Sequence, residues 1–192
     1  MNNNFFILFV VFCCYLNSCV TKEENPIPKP KSYLRIDFPE KKYINYSDSC
    51  SFSFDIPVYT QIGKIPGSPT CHKVIVFPEH KADLILKYNT IDTTFSLVTE
   101  KIKNDAYYHS FKANAIDVNE FTNLSSNVYG ITYEITGNSA CNYMFYVSDS
   151  INHMLTGELL INETPNYDKL KPVIDFIKSD IEHLIESFEW EE

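Results

Sequence analysis

The stretch Val128–Ile161, VYGITYEITGNSACNYMFYVSDSINHMLTGELLI, carries three alternating apolar runs separated by two short polar breaks. Val128 to Thr136 sets Ile131, Tyr133 and Ile135 on one face and Thr132, Glu134 and Thr136 on the other. Tyr143 to Ser148 sets Tyr143, Phe145 and Val147 against Met144 and Tyr146, and His153 to Ile161 aligns Leu155, Leu159 and Ile161. Side chains of a strand alternate between its two faces, so each run reads as a strand. The breaks, Gly137 to Asn142 and Asp149 to Asn152, hold four to six residues. Breaks of that length close hairpins and are too short for a parallel crossover. The sheet is therefore expected to be antiparallel.

Downstream, Leu170, Val173, Ile174, Ile177, Ile181, Leu184, Ile185 and Phe188 recur at helical spacing, with Asp175, Lys178, Glu182 and Glu186 opposite. That stripe predicts a helix lying across one sheet face. Asp168 is expected as its N-cap, with Pro172 in the first turn, where a missing N–H costs nothing. Upstream, Tyr33 to Phe38, Phe52 to Ile56, Lys73 to Phe77 and Ala82 to Tyr88 read as strands, and residues 63 to 70 (GKIPGSPT) as a loop. A middle helix is expected from an N-cap at Asp92 through Phe95, Val98, Ile102 and Ala106 to about Tyr107. The result is an α+β domain over 33–192, a mainly antiparallel sheet with a middle and a C-terminal helix packed on it. This order of elements is similar to the Mog1/PsbP-like fold.

The N-terminus reads as an address. Phe5 to Leu16 (FFILFVVFCCYL) is an unbroken apolar run, too short to span a bilayer with confidence and of the length of a signal-peptide core. Leu16-Asn17-Ser18-Cys19 follows, in the pattern at which a membrane enzyme attaches diacylglycerol to a thiol before cleavage just ahead of it. The segment before it, MNNN, lacks the usual positive charge. Residues 1–18 are thus expected to be a lipoprotein signal peptide and Cys19 the lipidation site. Val20-Thr21-Lys22-Glu23-Glu24 is similar to a surface-export signal of lipoproteins in the Bacteroidetes. Prolines 26, 28 and 30 make the rest of 19–32 a stiff, solvated tether reaching about 40 Å.

Composition narrows the functions available. The chain has 192 residues, 44% apolar and 15% aromatic, with 25 acidic against 16 basic residues and a net charge of −9. Arg35 is its one arginine, which argues against a nucleic-acid partner. The five glycines form no phosphate-cradling loop. His72, His80, His109, His153 and His183 form no H-E-x-x-H, and there is no C-x-x-C, so no metal and no cofactor is expected. Cys71 and His72 are neighbours on a chain and would point to opposite faces, a poor nucleophile and base. Gly137-Asn138-Ser139-Ala140-Cys141 has the first half of a G-x-S-x-G elbow, lacks the second glycine, and joins two strands; Asp149-Ser150 reads as a turn. Outside the signal and Cys19, three cysteines remain: Cys50, Cys71 and Cys141. At most one pair can form among them; Cys50 with Cys71 would close the shortest loop, and three free buried thiols are the other reading. The run from Tyr107 to Lys112 (YYHSFK) is rich in hydrogen-bonding groups. Together with Asn138 it makes a polar surface, His109, Lys112 and Asn138, that would serve either helix-end packing or a partner.

The mature chain resembles the gliding-motility lipoprotein GldD family of Bacteroidetes from about Tyr33 to Trp190. The resemblance is carried by Tyr33-Leu34-Arg35-Ile36-Asp37-Phe38-Pro39, the run from Val128 to Asn138, Ser148 to His153, and the ending from Pro165-Asn166-Tyr167-Asp168 to Phe188-Glu189-Trp190. It implies a lipid-anchored accessory or assembly component of the gliding and associated secretion machinery, in the cell envelope at the outer membrane. It implies binding to other proteins of that machinery, no enzymatic activity and no small-molecule substrate. The competing expectation is a periplasmic or surface hydrolase or ligand-binding lipoprotein using the polar loops around His109 and Asn138.

Overall fold

The computed structural model describes residues 36–91, 95–108 and 111–191. All belong to one unit spanning 33–192. Two antiparallel sheets and two α-helices build it. The smaller sheet is β1 (Tyr43–Ser47), β2 (Phe52–Pro57) and β10 (Glu189–Trp190), in the order β1-β2-β10. The larger contains β3 (Gln61–Lys64), β4 (Lys73–Phe77), β5 (Ala82–Thr90), β6 (Ala113–Asn123), β7 (Val128–Gly137), β8 (Cys141–Ser148) and β9 (His153–Ile161), in the order β3-β4-β5-β9-β8-β7-β6. The β7-β8-β9 meander is the one expected from sequence, and all its pairings are antiparallel. The α+β class is thus established, with α1 (Phe95–Tyr108) and α2 (Tyr167–Glu186) as the two helices.

The alternation read along the meander sorts onto two cores. Tyr143, Phe145, Val147, Leu155, Leu159 and Ile161 join Ile174, Ile177, Ile181 and Leu184 of α2 with Phe52, Phe54 and Ile56 of β2. Tyr133, Ile135 and Met144 point to the other face and pack with Ile102 and Ala106 of α1. One face of the large sheet therefore carries α2 and the small sheet, and the other carries α1. Phe188, just past α2, stacks on Phe52 and Phe54 and ties the chain end to β2.

Four details differ from the sequence reading. Residues 36–42 have no regular structure, so the expected strand at Tyr33 to Phe38 is absent within its described part. Phe38 packs on α2 instead, its ring stacking on Phe176 at 4.3 Å. Gly63 and Lys64 are paired in β3 rather than looped. The helix cap is Asn166, whose side chain accepts from the Lys169 N–H at 3.3 Å, while Asp168 lies inside the first turn. Pro172 consequently falls in the second turn, where it removes one backbone hydrogen bond. β1, β6 and β10 are additional strands. The expected cap Asp92 lies outside the described residues.

Cys50 and Cys71 are joined in a disulfide that links the entry of β2 to the entry of β4; Cys141 is free and buried. The bridge closes a loop of sequence separation 21. Chain-entropy arithmetic for such a loop gives about 3 kcal/mol of stabilisation through the unfolded state. A Cys50→Ala/Cys71→Ala variant should lower the thermal midpoint by several degrees, and reductant should then have no further effect. Unchanged melting of the wild type on reduction would contradict this.

Candidate functional site

The surface that stands out lies where α1 meets β6. Ile102 and Ala106 turn one side of α1 into the core. The residues that follow come round to solvent: Tyr107 is 48%, Tyr108 83% and Phe111 93% exposed. Exposed apolar side chains grouped into one patch mark interaction sites, where single ones do not. With Lys112, Asn138, Ser139, Ala140 and Pro165 these two rings line a cavity of ≈ 580 Å³. The fold thus brings together two of the three polar residues expected from sequence, Lys112 and Asn138. The third, His109, lies outside the described residues, as does Cys19.

Local backbone chemistry holds the cavity floor. Gly137 has φ +117°, and a Cβ there would meet the Asn114 nitrogen at 2.7 Å, so the β7-β8 turn needs glycine. Ser139 is buried; its N–H donates to the Gly137 carbonyl at 2.8 Å and its hydroxyl accepts from the Cys141 N–H at 3.2 Å. Asn138 accepts from the Tyr167 N–H at 2.7 Å and so joins the turn to the start of α2. Asn142 donates to the carbonyls of Ile135 and Gly137. Both contacts of Ser139 are those of a turn residue.

The other reactive groups are similarly engaged. Asp149 Oδ1 accepts from the N–H groups of Ile151, Asn152 and His153 at 2.8–2.9 Å. Burial alone would raise its pKa, but those three donors outweigh it and hold the carboxyl below the usual carboxylate range. His153 Nδ1 lies 2.6 Å from the Tyr88 hydroxyl, and its ring stacks on Trp190. Burial, reinforced by Glu158, pushes the Cys141 thiol up to about 12, which keeps it protonated and unreactive. Cys71 is spent in the disulfide, and His72 Nε2 donates to the Tyr88 carbonyl at 3.0 Å. Among the described residues no three His, Cys, Asp or Glu side chains gather as a metal-ligand set.

One polar cluster was not anticipated. Asp180, 2% exposed, sits inside the apolar stripe of α2. Its Oδ1 accepts from Lys41 Nζ and from the Tyr43 hydroxyl, each at 2.8 Å, and its Oδ2 accepts from the Tyr59 hydroxyl at 2.6 Å. Lys41 also donates to the Phe176 carbonyl at 2.9 Å. An acid flanked by Ile177 and Ile181 is the one sequence signal that could have revealed the cluster; its donors come from positions more than a hundred residues away. Because its three donors satisfy the carboxylate, the cluster is a clamp for residues 41–59 rather than a reaction centre.

Comparison with known proteins agrees with the architecture. The solution structure of cyanobacterial PsbP (CyanoP) from Synechocystis sp. PCC 6803 superposes with a TM-score of 0.51 at 12% identity, covering 79% of this chain and 94% of that one. The likeness establishes a PsbP-like fold. No curated protein matches the sequence. The family described as gliding motility lipoprotein GldD matches residues 23–190, nearly the whole of the chain after the apolar N-terminus. From the meander and the two helices to the closing Trp190, this chain belongs to the gliding motility lipoprotein GldD family.

Proposed function

We propose that the protein is held in the cell envelope by lipids on Cys19 and acts there by protein binding, as an accessory or assembly component of the gliding motility and associated secretion machinery. The observation that carries the binding reading is the pair of solvent-exposed rings, Tyr108 and Phe111, beside a cavity whose Asn138 and Ser139 serve the turn. Aromatic side chains dominate the energetics of protein interfaces, whereas an enzyme concentrates activated groups in a cleft. The tether of residues 19–32 would carry the domain clear of the headgroups toward its partner. The outer membrane is the proposed site of anchoring.

Motility measured at matched protein abundance and palmitate labelling tests this reading. Tyr108→Ala/Phe111→Ala should reduce colony spreading severely, since interface hot spots of this type cost about 2 kcal/mol or more each. Ser139→Ala, Asp149→Ala and His153→Ala should each leave a folded protein with at most partial loss. If one of those three abolished motility by itself while the aromatic pair did not, the hydrolase or ligand-binding reading would take its place.

A further inference from the structure

The large sheet stops at β6. Its eleven residues pair with β7 on one side and with no other strand among the described residues. An antiparallel strand turns its backbone groups alternately to its two sides, so about half of those in β6 face outward. Such edges are normally blunted by shortness, proline, charged side chains (lysine above all) or bulges. The other end of this sheet, β3, has only four residues; β6 is its longest strand, contains neither proline nor lysine, and confines its one register shift to its start, between Ala113 and Ala115, leaving Ile116 to Asn123 regularly paired.

The flank of this edge has a definite charge. Between β6–β8 and α2 lies a groove of ≈ 390 Å³, with Phe121, Tyr143 and Ile185 as its apolar part and Glu134, Glu182 and Glu186 as its acidic part. Gly130, directly opposite Phe121, leaves room for that ring; a Cβ at 130 would meet it at 2.5 Å. Among the described residues Lys178 is the one cation lining the groove, and it is committed to Glu134, with Glu182 3.7 Å away. Asp117 of β6 stands directly opposite Glu134, a like-charge arrangement that costs stability. Neither Asp117 nor Glu186 has an ion-pair partner among the described residues. An unpaired edge thus borders a groove whose acids outnumber its cation.

We propose that β6 receives an extended segment of a partner protein as an eighth strand, with basic side chains at alternate positions turned toward Asp117, Glu182 and Glu186. Backbone hydrogen bonds would supply affinity and the alternating charges would select the segment. An added strand lies about 4.8 Å beyond β6, and β6 itself lines the acidic groove through Asn119, Phe121, Thr122 and Asn123. The site is separate from the Tyr108–Phe111 surface, so its failure leaves the motility reading standing.

Three fluorescent ten-residue peptides test the proposal on the full lipidated chain in detergent. The first alternates Lys with Thr and Val, the second is the same peptide N-methylated at every other residue, and the third replaces Lys by Glu. The first should bind and slow amide exchange in β6. The second and third should bind at least tenfold more weakly, and Glu182→Gln/Glu186→Gln should weaken the first about tenfold. Equal binding of the N-methylated peptide, indifference to the double substitution, exchange protection away from β6, or no binding at all would each overturn it. So would reversible dimerisation through β6 that excludes the peptide.

Discussion

Ile181→Asp should abolish stable folding, while Glu182→Ala, one residue on, should melt within a few degrees of the wild type. Ile181 is 1% exposed in the middle of α2, packed in the core with Ile177, Leu184 and the Phe52–Phe54 pair. No cation stands in that core to receive a carboxylate; the buried Lys73 is already paired with Asp48. An unpaired buried charge costs several kcal/mol, against a total stability of about 5–15 kcal/mol for a domain. Glu182 turns the other way and contributes only a long ion pair to Lys178, of a kind worth about 0.3–0.5 kcal/mol. Circular dichroism melts of the two purified variants decide the matter. Equal midpoints would mean that α2 is not packed as described.

Asp180→Ala should have the second largest effect. It removes the acceptor of three donors at once, the Lys41 ammonium, which keeps the Phe176 carbonyl, and the Tyr43 and Tyr59 hydroxyls. Removing one partner of a buried charged cluster costs about 3–5 kcal/mol, which for a unit of this size lowers the melting midpoint by roughly 10 °C. Proteolysis should then cut first near Lys41, because the unstructured segment 36–42 would lose its buried charge contact and keep the Phe38 ring contacts with Phe176 and His80 and the Lys41 bonds to Phe176 and Ser179 as side-chain anchors on α2 and its neighbours. Tyr43→Phe and Tyr59→Phe should each cost only about 1 kcal/mol. The cluster also imposes a pH dependence. Burial, aided by the hydrogen bond to Asp180, raises the pKa of both tyrosines above their ordinary value of 10.0. Their contribution is whole below pH 10 and is lost as the pH climbs toward the folded-state pKa, because the unfolded chain ionises first. Melts between pH 8 and 11 should show stability falling above pH 10, less steeply in Tyr43→Phe/Tyr59→Phe. A flat profile in the wild type would contradict the clamp.

The parts of the fold that were legible in sequence are those with two different faces. β7, β8 and β9 lie between two cores, and their alternation records which side chain goes to which; α2 has one apolar stripe against one buried sheet face. β6 escaped notice because most of its side chains are at least partly in water on both faces, so no alternation is imposed on Ala113–Asn123. Tyr33 to Phe38 misled for the converse reason. Alternation is needed for a strand but does not supply a partner, and Phe38 spends its apolar surface on Phe176 instead. The cap of α2 was misplaced by two residues because Asn166 and Asp168 are both good capping residues, and which one caps depends on how Asn138 holds the Tyr167 N–H.

The sequence by itself determined the α+β class, the antiparallel meander, the burial of the α2 stripe and the resemblance that the family match then established. It also singled out Lys112 and Asn138, which line one cavity, and it remains the sole source for Cys19 as an anchor. Periodicity encodes what each element buries, and these features need nothing more. Only the tertiary structure decided that Tyr108 and Phe111 stay bare, that Asp180 finds three donors from the far end of the chain, and that β6 ends the sheet beside an acidic groove. Each depends on which distant segments come to lie against one another, and a local pattern along the chain carries no record of that.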